Sequence, residues 1–181
     1  MTKKVLSKAE IDVEEAITAR IRSVSDPEIE AVRTDIARES DRGSALLVHS
    51  FLDELLNRLL KSRLVEGSTL PALLFQKKVD LCFSVGVLTD IEKHDLLVIN
   101  NIRNKIAHNY PHETFSSESV VKLCSNFSII KILSTAGTIF SKNTSRELYE
   151  FAGIFLHFIL KDKLLYIDPI KKCDRPRGFN K

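Results

Sequence analysis

The residues that could do chemistry lie near the middle of the sequence, between Leu97 and Pro111. At the helical period of about 3.6 residues per turn, this stretch gathers apolar side chains on one side of a helix and polar ones on the other. A guanidinium can bind a phosphate through its planar fork of donors, and an imidazole can act as acid or base near neutral pH. The small Ala107 leaves room for a phosphate or a partner helix. The polar side carries Asn100, Asn101, Arg103, Asn104, Lys105, Ala107 and His108.

The same residues also have a purely structural interpretation. Arg103, Lys105 and His108 lie in the last turns of a helix that Pro111 ends. Cations in this position interact favourably with the helix dipole and can bond to the free carbonyl groups. An arginine followed by a histidine at this spacing is also common by chance. Spacing alone therefore favours the structural interpretation over the catalytic one.

Helical patterns surround this stretch on both sides. A capping box that begins at Ser7 predicts a first helix at 8–24, and Pro27 is typical of the first position of a second helix. The strongest amphipathic segment covers residues 47–60, where two adjacent apolar stripes indicate a deeply buried face. Further helices are predicted from about 72 to 86, from Thr89 to Pro111, around 120–127 and from Thr144 to about 166.

These elements predict an all-α fold, a single bundle of antiparallel helices, since most of the connections are short. We expect an N-terminal helical arm at 1–39, the bundle at 40–167 and a flexible basic tail at 168–181. The arm needs a surface to lie against, either in this chain or in a second copy. Residues 128–140 are rich in β-branched side chains and fit a strand or a weak helix, so both remain open.

Composition excludes several classes of protein. The chain has 181 residues, a hydrophobic content of 44% and a net charge of +3, which fits one ordinary domain. No apolar run approaches the roughly 20 residues that span a bilayer, and charged residues interrupt the start too soon for a signal peptide. We therefore expect a cytoplasmic protein without membrane contact.

Other candidate sites are weaker. The three cysteines are an odd number without close spacing, which predicts reduced thiols that are buried or inert, and neither disulfides nor a structural zinc site. No glycine-rich phosphate loop occurs, so we expect no nucleotide cofactor. His108 and His112 have no third ligand at a suitable spacing, so we expect no metal. Asp53 and Glu54 are interpreted as a solvated helix face. His49, His94 and His157 are interpreted as isolated, the last of them in the core or an interface.

The segment Arg103-Asn104-Lys105-Ile106-Ala107-His108 resembles the Arg-polar-x-x-x-His motif of the HEPN superfamily. The longer run from Ser40-Asp41-Arg42-Gly43 through the 47–60 helix to Ala107-His108 is similar to the mannitol operon repressor (MltR) family, over residues 40–127. HEPN proteins are small helical bundles that commonly dimerise, and many are metal-independent ribonucleases. The resemblance brings no helix-turn-helix with it, so direct sequence-specific DNA binding is not implied.

The resemblance implies a site for RNA cleavage by attack of the RNA's own 2′-hydroxyl. This reaction needs a base, an acid and positive charge on the phosphorane. His108 would transfer a proton, Arg103 would hold the phosphate, and Asn104 would orient the phosphate or the imidazole, with Asn100 extending the network. Because Arg103 and His108 lie about 140° apart around an ideal helix, one helix does not close a pocket. The superfamily implies a homodimer that brings both copies together.

Two functions from different classes follow. The first is a metal-independent endoribonuclease of the toxin or defence type, with Arg103 and His108 at a dimer interface and RNA as substrate. The second is a non-enzymatic transcriptional regulator or scaffold, in which the same polar face binds a protein partner. Replacing His108 with alanine distinguishes them, because it abolishes RNA cleavage in the first case and weakens a protein complex in the second.

Overall fold

The computed structural model describes residues 27–64, 71–109, 112–135, 140 and 143–169. These residues form seven helices and no strand, so the predicted all-α helical bundle is confirmed. The helix predicted at 8–24 and nearly all of the predicted basic tail lie outside the described residues. The helices are α1 (Pro27–Arg38), α2 (Asp41–Arg63), α3 (Phe75–Ser84), α4 (Asp90–His108), α5 (Glu118–Cys124), α6 (Ser128–Thr135) and α7 (Ser145–Lys163).

Helix α2 is the centre of the bundle, because α1, α3, α4 and α7 all pack against it. The two apolar stripes predicted on this helix supply much of the core, and each fully buried aliphatic side chain contributes about 1.5–3 kcal/mol. Val32 and Ile36 of α1 are buried against α2 and α7, so this part of the predicted arm lies on its own chain. The buried apolar residues of α2 are Ala45, Val48, Leu52, Leu55, Leu56, Leu59 and Leu60.

Helices α2 and α7 approach each other closely at Gly153. A Cβ atom at this position would overlap the side chain of Val48 on α2. One turn earlier on α7, the fully buried Tyr149 hydroxyl donates to the Ala45 carbonyl over 3.0 Å. Burial raises the pKa of Tyr149, so the hydroxyl keeps the proton that it donates. The close contact and the hydrogen bond together fix how α7 lies along α2.

Reciprocal capping boxes begin two of the long helices, at the starts that the sequence predicts. The Thr89 side chain accepts from the Glu92 amide, and the Glu92 carboxylate accepts from the Thr89 amide over 2.7 Å. Thr144 and Glu147 form the same arrangement at the start of α7. Each cap satisfies amides that have no partner within the helix and is worth about 1 kcal/mol.

For residues 128–135, helix α6 answers the question that the sequence leaves open for 128–140, and residues 136–139 lie outside the described residues. Its first amides are capped from another helix. The carboxylate of Asp95, which is fully buried on α4, accepts from the Ser128 amide over 2.7 Å and from the Ile129 amide over 2.9 Å. The anion also lies at the positive end of the helix dipole. A tertiary contact therefore selects helix over strand.

Two helix boundaries differ from those predicted. Helix α3 begins at Phe75 and not near residue 72, because the chain is still extended at Leu74. Helix α5 ends at Cys124, and Phe127 lies beyond it in the connection to α6, although its side chain is fully buried. Within the described ranges, no helix has both the length and the apolar character needed to cross a membrane.

Candidate functional site

Helix α4 carries the predicted polar residues, and its apolar face fixes which way they point. Leu96, Ile99, Ile102 and Ile106 are buried at helical spacing, so the opposite face turns outward. We call this opposite face the polar arc, and its members differ in exposure. Four are partly buried and two are exposed. The polar arc comprises Asn100, Arg103, Asn104 and Lys105, which are partly buried, and Asn101 and His108, which are exposed.

Arg103 is held in place by its neighbour on the helix. Its Nη1 donates to the Asn104 Oδ1 over 2.8 Å, so these two predicted residues are in direct contact. The Nε atom of Arg103 is buried, and no acceptor for it lies among the described residues. A guanidinium has five N–H donors, so most of its hydrogen-bonding capacity remains open.

Arg103 also differs from other cations of the bundle in its surroundings. Lys78, Arg146 and Lys163 each pair with a carboxylate, at 2.7 Å, 2.7 Å and 2.6 Å. For Arg103, the part of the chain that the structure describes provides no carboxylate within 4.0 Å. A partly buried cation without a counter-ion attracts anions strongly, because the surrounding protein screens its charge less than water does. The site is therefore suited to a phosphate or a carboxylate.

His49 belongs to this site, and the prediction that it is isolated is wrong. From α2, its Nε2 lies 3.2 Å from the Asn100 Oδ1 on α4. The ring packs on Phe75 of α3, with 4.2 Å between the ring centroids. Burial, and then the positive charge of the nearby Arg103, lower the pKa of His49. Both effects favour the neutral imidazole of His49, near a guanidinium that has no carboxylate partner among the described residues.

A partly buried ion pair borders His49. The Lys78 ammonium donates to both carboxylate oxygens of Asp53, over 2.8 Å and 2.7 Å. The prediction that Asp53 belongs to a solvated face is therefore wrong, whereas its neighbour Glu54 is exposed as expected. Asp53 lies one turn after His49 on α2, and both members of the pair influence the pKa of His49. Asp53 raises the pKa of His49 and Lys78 lowers it, so the two effects oppose each other.

His108 stands apart from the other predicted residues. It is exposed at the end of α4, and within the described residues its side chain makes no hydrogen bond or ion pair. The single chain therefore brings Arg103, Asn104 and Asn100 together but leaves His108 outside this cluster. The helical period predicts this outcome from the wide angle between Arg103 and His108. An exposed imidazole at a helix end is available to a second molecule.

Comparison with known proteins finds no relative. No family model, no curated protein and no solved structure matches the chain. The resemblance to the HEPN superfamily and to the mannitol operon repressor family therefore stays a prediction from the quoted motifs. The function has to follow from the geometry of the polar arc and its neighbours.

Other parts of the bundle offer less chemistry. A groove of about 610 Å³ lies between α1 and α7, with phenylalanine side chains on α7 and no residue of the polar arc in its lining. Cys82 and Cys124 are free and buried, and burial raises the pKa of each thiol to about 12. His157 is buried in the core, as predicted. No group of three potential metal ligands occurs in the described part of the chain.

Proposed function

We propose that this protein is a metal-independent endoribonuclease of the HEPN type, in which Arg103 binds the scissile phosphate and His108 transfers a proton. One observation carries the proposal: Arg103 is partly buried and fixed by Asn104, yet has no carboxylate partner in the described structure. A phosphate diester supplies the missing anion, and the guanidinium can bind two of its oxygens at once. Charge that develops on the phosphorane is then stabilised by a preorganised cation.

The proposed active form is a homodimer. Because His108 does not join the Arg103 cluster within one chain, a second protomer has to bring its own His108 to the phosphate. A two-fold axis beside α4 would form two equivalent sites, each with Arg103 from one protomer and His108 from its partner. The exposure of His108 and Asn101 is compatible with such an interface.

The first test uses purified protein, total RNA and labelled oligonucleotides in the presence of EDTA, which removes contaminating metal-dependent nucleases. We expect wild-type protein to leave 2′,3′-cyclic phosphate and 5′-hydroxyl ends, identified by mass spectrometry. Arg103→Gln and His108→Ala should each lose about 100-fold or more in rate, the range for loss of one acid–base or charge-stabilising group. The matched controls are Arg38→Gln and His112→Ala, since both residues are exposed and lie outside the polar arc.

Mixing the two inactive variants tests the shared site. A heterodimer of Arg103→Gln and His108→Ala has one intact site if each site takes its residues from two protomers. Random exchange of subunits makes half of the dimers mixed, and each mixed dimer has one intact site out of two. Roughly a quarter of the wild-type rate should therefore return. A mixture that stays inactive after subunit exchange contradicts the shared site.

Intact RNA across a broad substrate panel would refute the ribonuclease proposal. The polar arc would then be the binding face of a regulator or scaffold like the mannitol operon repressor family, with a carboxylate of a protein partner on Arg103. Under that outcome, Arg103→Gln should weaken the complex with the partner.

A further inference from the structure

We propose that His49 is the second proton-transfer residue of the site, the base that accepts the 2′-hydroxyl proton, while His108 protonates the leaving oxygen. This inference rests on the proposed ribonuclease function and extends it to a residue outside the motif. It is carried by the contact of 3.2 Å between the His49 Nε2 on α2 and the Asn100 Oδ1 on α4, which lies one turn before Arg103 on the same helix. The motif helix alone supplies a phosphate ligand but no base beside it.

The hydrogen bond to Asn100 defines which nitrogen of His49 is free. The Asn100 Oδ1 can only accept, so the Nε2 atom that lies 3.2 Å from it carries the ring hydrogen. The Nδ1 atom of a neutral imidazole then holds the lone pair. Phe75 packs against the ring and restricts its rotation. His49 is thus held as a neutral base with a fixed tautomer.

The charges around His49 favour this neutral form. Three charged side chains face it: Arg103 from α4, Lys78 from α3 and Asp53 from its own helix. Lys78 and Asp53 are bound to each other, so among the described residues Arg103 is the charged neighbour of His49 that lacks a carboxylate partner. When a phosphate binds to Arg103, its negative charge offsets the guanidinium and makes the imidazole more basic. Substrate binding would therefore raise the proton affinity of the base where it is needed.

The reaction balances with these two histidines. The 2′-O–H bond breaks as its proton moves to the His49 Nδ1, and the 2′ oxygen forms a bond to phosphorus. The P–O5′ bond breaks, its electron pair stays on the 5′ oxygen, and the His108 imidazolium protonates that oxygen. The products are a 2′,3′-cyclic phosphate and a 5′-hydroxyl end, and proton exchange with water restores both histidines.

The alternative role for His49 is to brace α2 against α4 through Asn100. His49→Gln separates the two roles, because a glutamine amide can donate to Asn100 but cannot accept a proton near neutral pH. We expect His49→Gln to keep its thermal midpoint and dimer mass but to lose 100-fold or more in kcat/KM on a short RNA in EDTA. The matched control is His112→Gln, which should cleave at the wild-type rate.

The pH profile gives a second readout. A base must be unprotonated, so the acidic limb of the kcat/KM profile should report His49 and lie below the ordinary histidine value of about 6.5. Histidine NMR should place the ring hydrogen of His49 on Nε2. It should also show a higher pKa for His49 in Arg103→Gln, because a neighbouring cation has been removed.

The outcomes separate this inference from the function on which it rests. If wild-type protein cleaves RNA and His49→Gln cleaves within about threefold of it, with the acidic limb retained, His49 is a structural brace and only the inference fails. A ring hydrogen on Nδ1 in the free protein also overturns it. If wild-type protein leaves RNA intact in EDTA, the proposed function fails and the inference fails with it.

Discussion

The partly buried ion pair between Lys78 and Asp53 allows a quantitative prediction about stability. The Lys78 side chain is 6% exposed and that of Asp53 is 31% exposed, so Asp53→Asn leaves an almost completely buried ammonium without its counter-ion. Removing one partner of a fully buried ion pair typically lowers the free energy of unfolding by about 3–5 kcal/mol. Because Asp53 is partly open to water, we expect the free energy of unfolding to fall by about 2–3 kcal/mol, or roughly 4–12 °C in Tm.

Urea denaturation followed by circular dichroism measures this change. The matched control is Glu54→Gln, which removes the adjacent but exposed carboxylate and should stay within about 0.5 kcal/mol of wild type. Replacing both partners with apolar residues, as Asp53→Leu with Lys78→Met, should recover most of the loss, since no buried charge remains. If Asp53→Asn is as stable as Glu54→Gln, Lys78 does not depend on this carboxylate and the reasoning is refuted.

Three further predictions concern the core. Gly153→Ala should destabilise the fold by about 1–3 kcal/mol in urea denaturation, because the new Cβ overlaps α2, whereas helix propensity alone predicts a gain. Asp95→Ala should cost about 1–3 kcal/mol and remove the hydrogen-exchange protection of the first α6 amides, which lose their acceptor. In a Cys173→Ser variant, Cys82 and Cys124 should not react with a thiol reagent at pH 8 while the protein is folded. A pKa of about 12 leaves roughly one thiol in ten thousand as the reactive thiolate at that pH. Rapid labelling of the folded protein would contradict the burial of these thiols.

Local features of the sequence predict most of the described helices. The starts of α4 and α7 follow from their capping boxes, because the partners at Thr89 and Thr144 are only three residues away. The burial of α2 follows from its apolar period. Helix α6 does not follow from any local feature, since the carboxylate that caps Ser128 is 33 residues earlier in the chain. Its β-branched composition leaves strand and helix equally open.

The sequence likewise predicts one part of the candidate site and not the other. Asn100, Arg103 and Asn104 share one helix, so the helical period alone places them on one face. His49 comes to them from another helix, and its partner Asn100 is 51 residues away in the sequence. That contact depends on where α2 crosses α4, which no periodicity specifies. The Asp53–Lys78 pair depends on the packing of α2 and α3 for the same reason.

The arrangement of charge explains why this particular arginine is suited to bind a ligand. At this junction of α2, α3 and α4, Asp53 pairs with Lys78, and burial together with the positive charge of Arg103 lowers the pKa of His49. Asn104 fixes the guanidinium of Arg103 without neutralising it. A carboxylate at position 104 would instead form an internal salt bridge and remove the affinity for an external anion. Asn104→Asp should therefore weaken the phosphate binding that we propose for Arg103, as measured by calorimetric titration with inorganic phosphate, while circular dichroism shows the helix intact; a purely structural role for Arg103 does not predict this result.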